Sequence, residues 1–270
     1  KQEPYEDIHP PKLETMQDFL DAVRQSGLVG LGGAGFPTVV KLTVKNLEQV
    51  KAIIINGAEC EPYITSDTRT MLDRSLEVIE GARLVQHFLQ VKRVIFAIED
   101  NKPFCIRTYR KLVREEQGME VCALPSLYPQ GGEKVLIYNT MGAIVPEGKL
   151  PLDVGAIVLN CTTLANIAHY CNTGMPLVEK CITVDGSAVR KPKNVIVPIG
   201  MKLGDVFEAC GGFSEEPKKV LYGGPMMGIA VPDLEQPVLK NTNAILAMTE
   251  KDATPPEPSA CIRCGRCIAH

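Results

Sequence analysis

The sequence predicts an α/β fold with a mostly parallel sheet, followed by a small α+β module. Apolar, β-branched runs at 52–56, 93–98, 119–124 and 154–159 alternate with helical segments, the pattern of βαβ units. After Gly174 the texture changes to short strands around one short helix. The 270 residues, 45% apolar and 23% charged, suffice for two domains with real cores. A net charge of −3 gives no basis for nucleic-acid binding, and no apolar run approaches the length of a membrane span.

Residues 1–13 are polar and carry Pro4, Pro10 and Pro11, as an arm or linker does. Met16, Phe19, Leu20 and Val23 recur at helical spacing and predict a helix over 14–26. Five glycines follow within nine residues, Gly27, Gly30, Gly32, Gly33 and Gly35, and Pro37 marks a helix start. Bare N–H groups feeding a helix N-terminus suit a phosphate, and Lys41, about one turn in, adds a positive charge. The closing Gly-Lys-Ser/Thr of a P-loop is absent. Gly30-x-Gly32-x-x-Gly35 matches the dinucleotide fingerprint literally, but a helix, not a strand, precedes it. Anion binding and a tight structural turn remain, and the glycines with Pro37, Thr38 and Lys41 favour the first.

The first strand ends in Asn56-Gly57-Ala58-Glu59-Cys60-Glu61-Pro62-Tyr63. That places an amide and two carboxylates where open α/β sheets bind ligands. Asp67 is expected to cap a long helix reaching 90, with Gly81 as a candidate break. Tyr128-Pro129-Gln130-Gly131-Gly132-Glu133-Lys134 sets two glycines and a Glu at the mouth of a helix over 133–140. It reads as a second turn over a planar ligand, or as a helix with a favourable first-turn acid. Asn160, Thr162 and Thr163 are placed to cap the helix after the fourth strand and leave its N–H groups to an anion. Strands over 178–184, 194–198 and 219–222 and a helix over 202–209 make the small module. Residues 223–228 form an apolar turn expected to pack on the first domain, and 254–259, with three prolines, read as an extended linker.

Of ten cysteines, seven (Cys60, Cys105, Cys122, Cys161, Cys171, Cys181, Cys210) follow no framework spacing, which suits free thiols in a reducing, cytoplasmic setting. Cys261-x-x-Cys264-x-x-Cys267 is the opening of a ferredoxin cluster run, whose fourth Cys comes three residues later. Three Cys with His270 also match structural zinc. The spacing favours iron–sulfur.

Together, the motifs at 27–38, 56–63, 128–134, 222–228 and 261–267 resemble the RnfC family, which supplies one component of the Rnf electron transport complex. More distantly, they are similar to the flavin subunit of respiratory complex I and to the cobalamin reductase of metabolosomes. The resemblance implies an arm and first helix over 1–25 and a complex I-type FMN/NADH domain over 26–173. It implies a ubiquitin-like β-grasp (SLBB) domain over 174–232, then a linker and the start of an iron–sulfur segment over 233–270. Residue by residue, it implies that Gly30, Gly32, Gly33, Gly35, Lys41, Asn56, Glu59, Gly132, Glu133, Asn160 and Thr163 hold FMN. Glu61 would be the catalytic carboxylate facing the nicotinamide, and Cys261, Cys264 and Cys267 ligands of a 4Fe–4S cluster in the full-length protein. Ala58 and Lys134 stand where the complex I relative has acids. The implied activity is FMN-mediated electron exchange between NAD(H) and iron–sulfur clusters, in a ferredoxin:NAD+ oxidoreductase coupled to ion transport. Its partners would be the other Rnf subunits and, indirectly, ferredoxin. The chain would lie on the inner face of the cell membrane through those subunits, without inserting. Cobalamin reduction and a non-catalytic ligand-binding or docking module are the alternatives.

Overall fold

Thr15 and Asp18 exchange side chain–backbone hydrogen bonds of 3.1 and 2.8 Å, a capping box that starts helix α1 (Met16–Gln25). The computed structural model describes residues 8–268; the first seven residues of the expected arm, and His270 of the zinc alternative, lie outside them. The glycine stretch leads into a short α2 (Thr38–Leu42), directly after Pro37. The first domain continues with β1 (Ala52–Gly57), α3 (Ser66–Asp73), α4 (Ser75–Leu89), β2 (Val94–Glu99) and α5 (Pro103–Leu112). It ends with β3 (Met119–Leu124), α6 (Glu133–Met141), β4 (Ala156–Asn160) and α7 (Cys161–Thr173).

These four strands are parallel, in the order β3-β2-β1-β4. Alternation along β1 sorts the core. Ile53 and Ile55 pack with residues of α1, α4, α5 and α7, while Ala52 and Ile54 join Leu136 and Ile137 of α6 on the other face. The chain leaves β3 at one edge and returns as β4 beside β1. The gap between β1 and β4 is therefore the switch point of the sheet, where ligands bind beyond the strand carboxyl ends. Asn56 and Asn160 are register partners there.

The helix expected over Asp67 to Gln90 is interrupted at Arg74, not at Gly81, and Asp67 is the second residue of α3 and not its cap. Gly81 sits inside α4, where a Cβ would stand 2.1 Å from the Leu164 carbonyl oxygen of α7. Its role is close helix approach, a long-range requirement that mimics a helix breaker in the sequence.

The second domain holds β5 (Glu179–Asp185), β6 (Lys193–Pro198), α8 (Leu203–Ala209), β7 (Lys219–Tyr222), β8 (Ile229–Ala230) and β9 (Ala244–Met248). The sheet is mixed, ordered β6-β5-β9-β7-β8, with β5 and β9 parallel. Val206 and Phe207 of α8 pack with Ile182, Val184 and Ile245 on one face. The other face, with Leu221, Leu246 and Met248, takes Ile64 from the first domain. The expected linker over 233–270 is corrected by β9, a fully buried strand at the centre of the sheet. A five-residue apolar run without alternation carries no periodic signal; pairing on both sides makes it a strand. The chain becomes extended only after α9 (Glu250–Ala253). Among the described residues no helix is long and apolar enough to cross a membrane. All ten thiols are free, and Cys105, Cys161, Cys171 and Cys210 are buried.

Candidate functional site

The glycine loop folds back on itself: Gly30 N–H donates to the Phe36 carbonyl at 2.7 Å and Gly35 N–H to the Gly30 carbonyl at 3.2 Å. Leu31 N–H donates to the Thr163 hydroxyl at 3.0 Å. The N–H groups of Gly32, Gly33 and Ala34 have no hydrogen-bond partner among the described residues. Gly33 holds φ +115°, backbone that side chains rarely adopt, with open space where a Cβ would be. The Thr38 hydroxyl is buried and also has no partner among the described residues. Lys41 Nζ donates to the Val158 carbonyl at 3.0 Å and pairs with Glu133. Gly32, Ala34, Thr38 and Lys41, together with Asn56 and Asn160, line a pocket of about 140 Å³.

The pocket opens into a cleft of about 610 Å³ between the domains, within the range of small-molecule sites. Asn56 braces its floor: Nδ2 donates to the Gly131 carbonyl at 3.0 Å, and Oδ1 accepts Ala58 N–H at 3.0 Å. Gly132 and Glu133 begin α6 on the same wall. Every residue expected to hold flavin or nicotinamide, except Gly35, lines these two connected spaces. Gly35 instead turns the loop, at φ +67°.

Several of these residues are engaged in ways the sequence does not reveal. The Glu59 carboxylate accepts Asp67 N–H at 2.7 Å, Thr68 N–H at 3.1 Å and the Thr68 hydroxyl at 2.7 Å, so it caps α3. Burial, and then the neighbouring Asp67 carboxylate, push the Glu59 carboxyl up to about 7. Asn160 Oδ1 accepts Thr162 and Thr163 N–H at 2.9 and 3.2 Å. This corrects the expectation that the N–H groups of this helix are left to an anion: the cap itself takes those of Thr162 and Thr163, and the amides without a partner among the described residues include those of Gly32, Gly33 and Ala34. Asp67 in turn accepts Asn160 Nδ2 at 2.7 Å and the Thr162 hydroxyl at 2.6 Å. The Glu61 carboxylate, expected beside the nicotinamide, accepts the Met226 and Met227 amides at 3.0 and 2.8 Å. It thereby ties the apolar turn at 223–228 to the first domain. Cys261, Cys264 and Cys267 are exposed and are not brought together: among the described residues no three His, Cys, Asp or Glu are gathered for a metal. The physical reason is local: 261–265 form no helix or strand and are exposed, so no packed element turns the three thiols toward one another.

Residues without a motif of their own also reach the site. Lys180, 4% exposed, donates to the Leu31 carbonyl at 3.0 Å, the Lys240 carbonyl at 3.2 Å and Asn243 Oδ1. Burial pushes its ammonium down to about 7. A signal existed: Lys180 shares the inward phase of β5 with Ile182 and Val184, an odd place for a lysine.

Residues 23–169 match the Nuo51 FMN-binding domain, and residues 181–230 the SLBB domain. β9 lies beyond the second match. Over 254 residues the chain is 43% identical to the C component of the proton-translocating ferredoxin:NAD(+) oxidoreductase complex of Clostridium ljungdahlii, covering 94% of this chain and 55% of that protein. Over 259 residues it is 40% identical to the C component of the Na(+)-translocating ferredoxin:NAD(+) oxidoreductase complex of Acetobacterium woodii, covering 94% of this chain and 58% of that protein. The chain thus spans somewhat more than half the length of these two relatives. In fold it is similar to a chain of the NAD+-reducing NiFe hydrogenase in its air-oxidized state. That likeness has a TM-score of 0.74 at 21% identity, over 87% of this chain and 47% of that one.

Proposed function

We propose that this chain, which belongs to the Nuo51 FMN-binding domain family and carries an SLBB domain behind it, is the flavin-holding part of an electron-transfer subunit in an Rnf-type ferredoxin:NAD+ oxidoreductase complex. One observation carries the proposal. The amides of Gly32, Gly33 and Ala34 and the buried Thr38 hydroxyl have no partner among the described residues, and Gly32 and Ala34 share one pocket with Thr38 and the Lys41 ammonium, with Gly33 lining the adjoining cleft. Such a donor set fits a group with several anionic oxygens, as the phosphate of FMN has.

FMN, when bound, supplies acceptance of a hydride from NADH and release of its electrons one at a time. The chain's own residues position it. The glycine loop, Thr38 and Lys41 bind the phosphate, with Glu133 as the counter-charge of Lys41. Asn56 keeps the second glycine turn against the cleft through the Gly131 carbonyl. Glu59 places on the cleft wall a carboxyl able to hold or release a proton near neutral pH. Glu61 keeps the β-grasp turn closed over the cleft mouth, which is the role we assign it instead of contact with nicotinamide. Cys261, Cys264 and Cys267 would ligate a 4Fe–4S cluster in a longer protein. Ion coupling, the other members of the complex as partners, ferredoxin as indirect partner and a place at the inner membrane face extend the same proposal, supported by the names of the relatives.

The test is a titration of the purified chain with FMN, followed by quenching of flavin fluorescence. Saturable binding at micromolar concentration or below is expected. Lys41→Ala should weaken it roughly 10- to 100-fold, the worth of one hydrogen bond to a charged group. A wild-type chain that does not saturate overturns the proposal.

A further inference from the structure

We infer that the β-grasp domain builds part of the phosphate site, with Lys180 and Asn241 as positioning residues that aim the glycine-loop amides; the inference rests on the flavin proposal above. Three carbonyls of the loop are held from the second domain. Lys240 Nζ donates to the Gly27 carbonyl at 2.6 Å, Lys180 Nζ to the Leu31 carbonyl at 3.0 Å and Asn241 Nδ2 to the Gly33 carbonyl at 2.8 Å. In a planar trans peptide the C=O and the following N–H point in opposite directions. Holding the Leu31 carbonyl toward Lys180 therefore turns Gly32 N–H away from the second domain. Holding the Gly33 carbonyl toward Asn241 does the same for Ala34 N–H. The smaller pocket lies on that side: Gly32, Ala34, Thr38 and Lys41 line it, and no residue of the β-grasp domain does. The Gly27 contact is an anchor only, because the Leu28 N–H of that peptide donates to Ser26 Oγ at 3.3 Å.

Two physical points support the assignment. Glycines carry no side chains to pack, and the loop's own hydrogen bonds, Gly30 N–H to Phe36 and Gly35 N–H to Gly30, leave the peptides of Gly32, Gly33 and Ala34 without an internal hold. An anion then binds tightly only if something outside the loop supplies that order in advance. Burying an ammonium is also expensive, and an apolar residue would fill the β5 position at less cost. The acceptors around Lys180 include the glycine-loop carbonyl itself, which accounts for a lysine there.

The experiment titrates the intact wild-type chain, Asn241→Leu and Lys180→Met with FMN and with riboflavin, which shares the ring and ribityl chain but lacks the phosphate. In each variant FMN affinity is expected to fall about tenfold or more, the loss of about one hydrogen bond to a charged group, while riboflavin affinity moves less than about twofold. Equal losses for both flavins, or no loss for either, overturn the positioning role. A wild type that binds the two flavins alike overturns the phosphate site and leaves the flavin proposal standing; one that binds neither overturns both. Should Lys180→Met fail to fold, Asn241→Leu, at a partly exposed position, decides the matter alone.

Discussion

Replacing Glu59 by Gln should change how the stability of the ligand-free protein depends on pH, in a direction set by its surroundings. Burial, and then the Asp67 carboxylate, raise the Glu59 carboxyl from 4.5 to about 7. Between those values the unfolded chain has released this proton and the folded chain still holds it. Unfolding then releases a proton, so stability falls as pH rises through the window, by at most ~1.4 kcal/mol per pH unit. Across the whole window the loss is about 3 kcal/mol, fully present above about pH 7. Gln cannot titrate, and its side-chain oxygen can still accept from the first turn of α3. The difference in unfolding free energy between wild type and Glu59→Gln should therefore tilt against wild type from about pH 4.5 to about pH 7 and be flat beyond. Lys180 tilts the other way: lowered from 10.5 to about 7, it lacks in the folded chain a proton that the unfolded chain keeps, so stability rises with pH across that interval. These two groups together should give wild type a stability minimum near neutral pH. Urea unfolding followed by circular dichroism at closely spaced pH values measures both curves. A flat difference curve below pH 7, or one tilted the opposite way, would refute the argument that Glu59 is buried against Asp67.

Beyond the two flavin titrations, Gly81→Ala should lower stability by about 1–3 kcal/mol, because the new Cβ meets the Leu164 carbonyl at 2.1 Å and must push α4 from α7. Thermal melting reports it, and an unchanged midpoint would mean that the helices separate freely. Glu61→Ala removes the acceptor of the Met226 and Met227 amides, so hydrogen exchange at both should quicken by about tenfold. Unchanged exchange there would show that the turn at 223–228 is held by packing alone.

The parallel sheet was legible because its signals are local. Alternating apolar runs and helical spacing act between near neighbours, and β3 spans the expected 119–124. The glycine spacing and Pro37 likewise announced a donor-rich turn ahead of a helix. Residues 244–248 gave no such announcement, since a short apolar run becomes a central strand only when β5 and β7 arrive on either side. The carboxylates at the end of β1 were visible as an oddity, but not their partners. Glu59 found an amide eight residues away, and Glu61 amides 165 and 166 residues away in another domain. Lys180 was half visible: the phase of its strand turned it inward, while the carbonyl it holds lies 149 residues earlier. Periodicity, caps and turn chemistry act over a few bonds and can be read along the chain. Where a buried charge or a bare amide points depends on which distant segment folds against it, and only the packed molecule decides that.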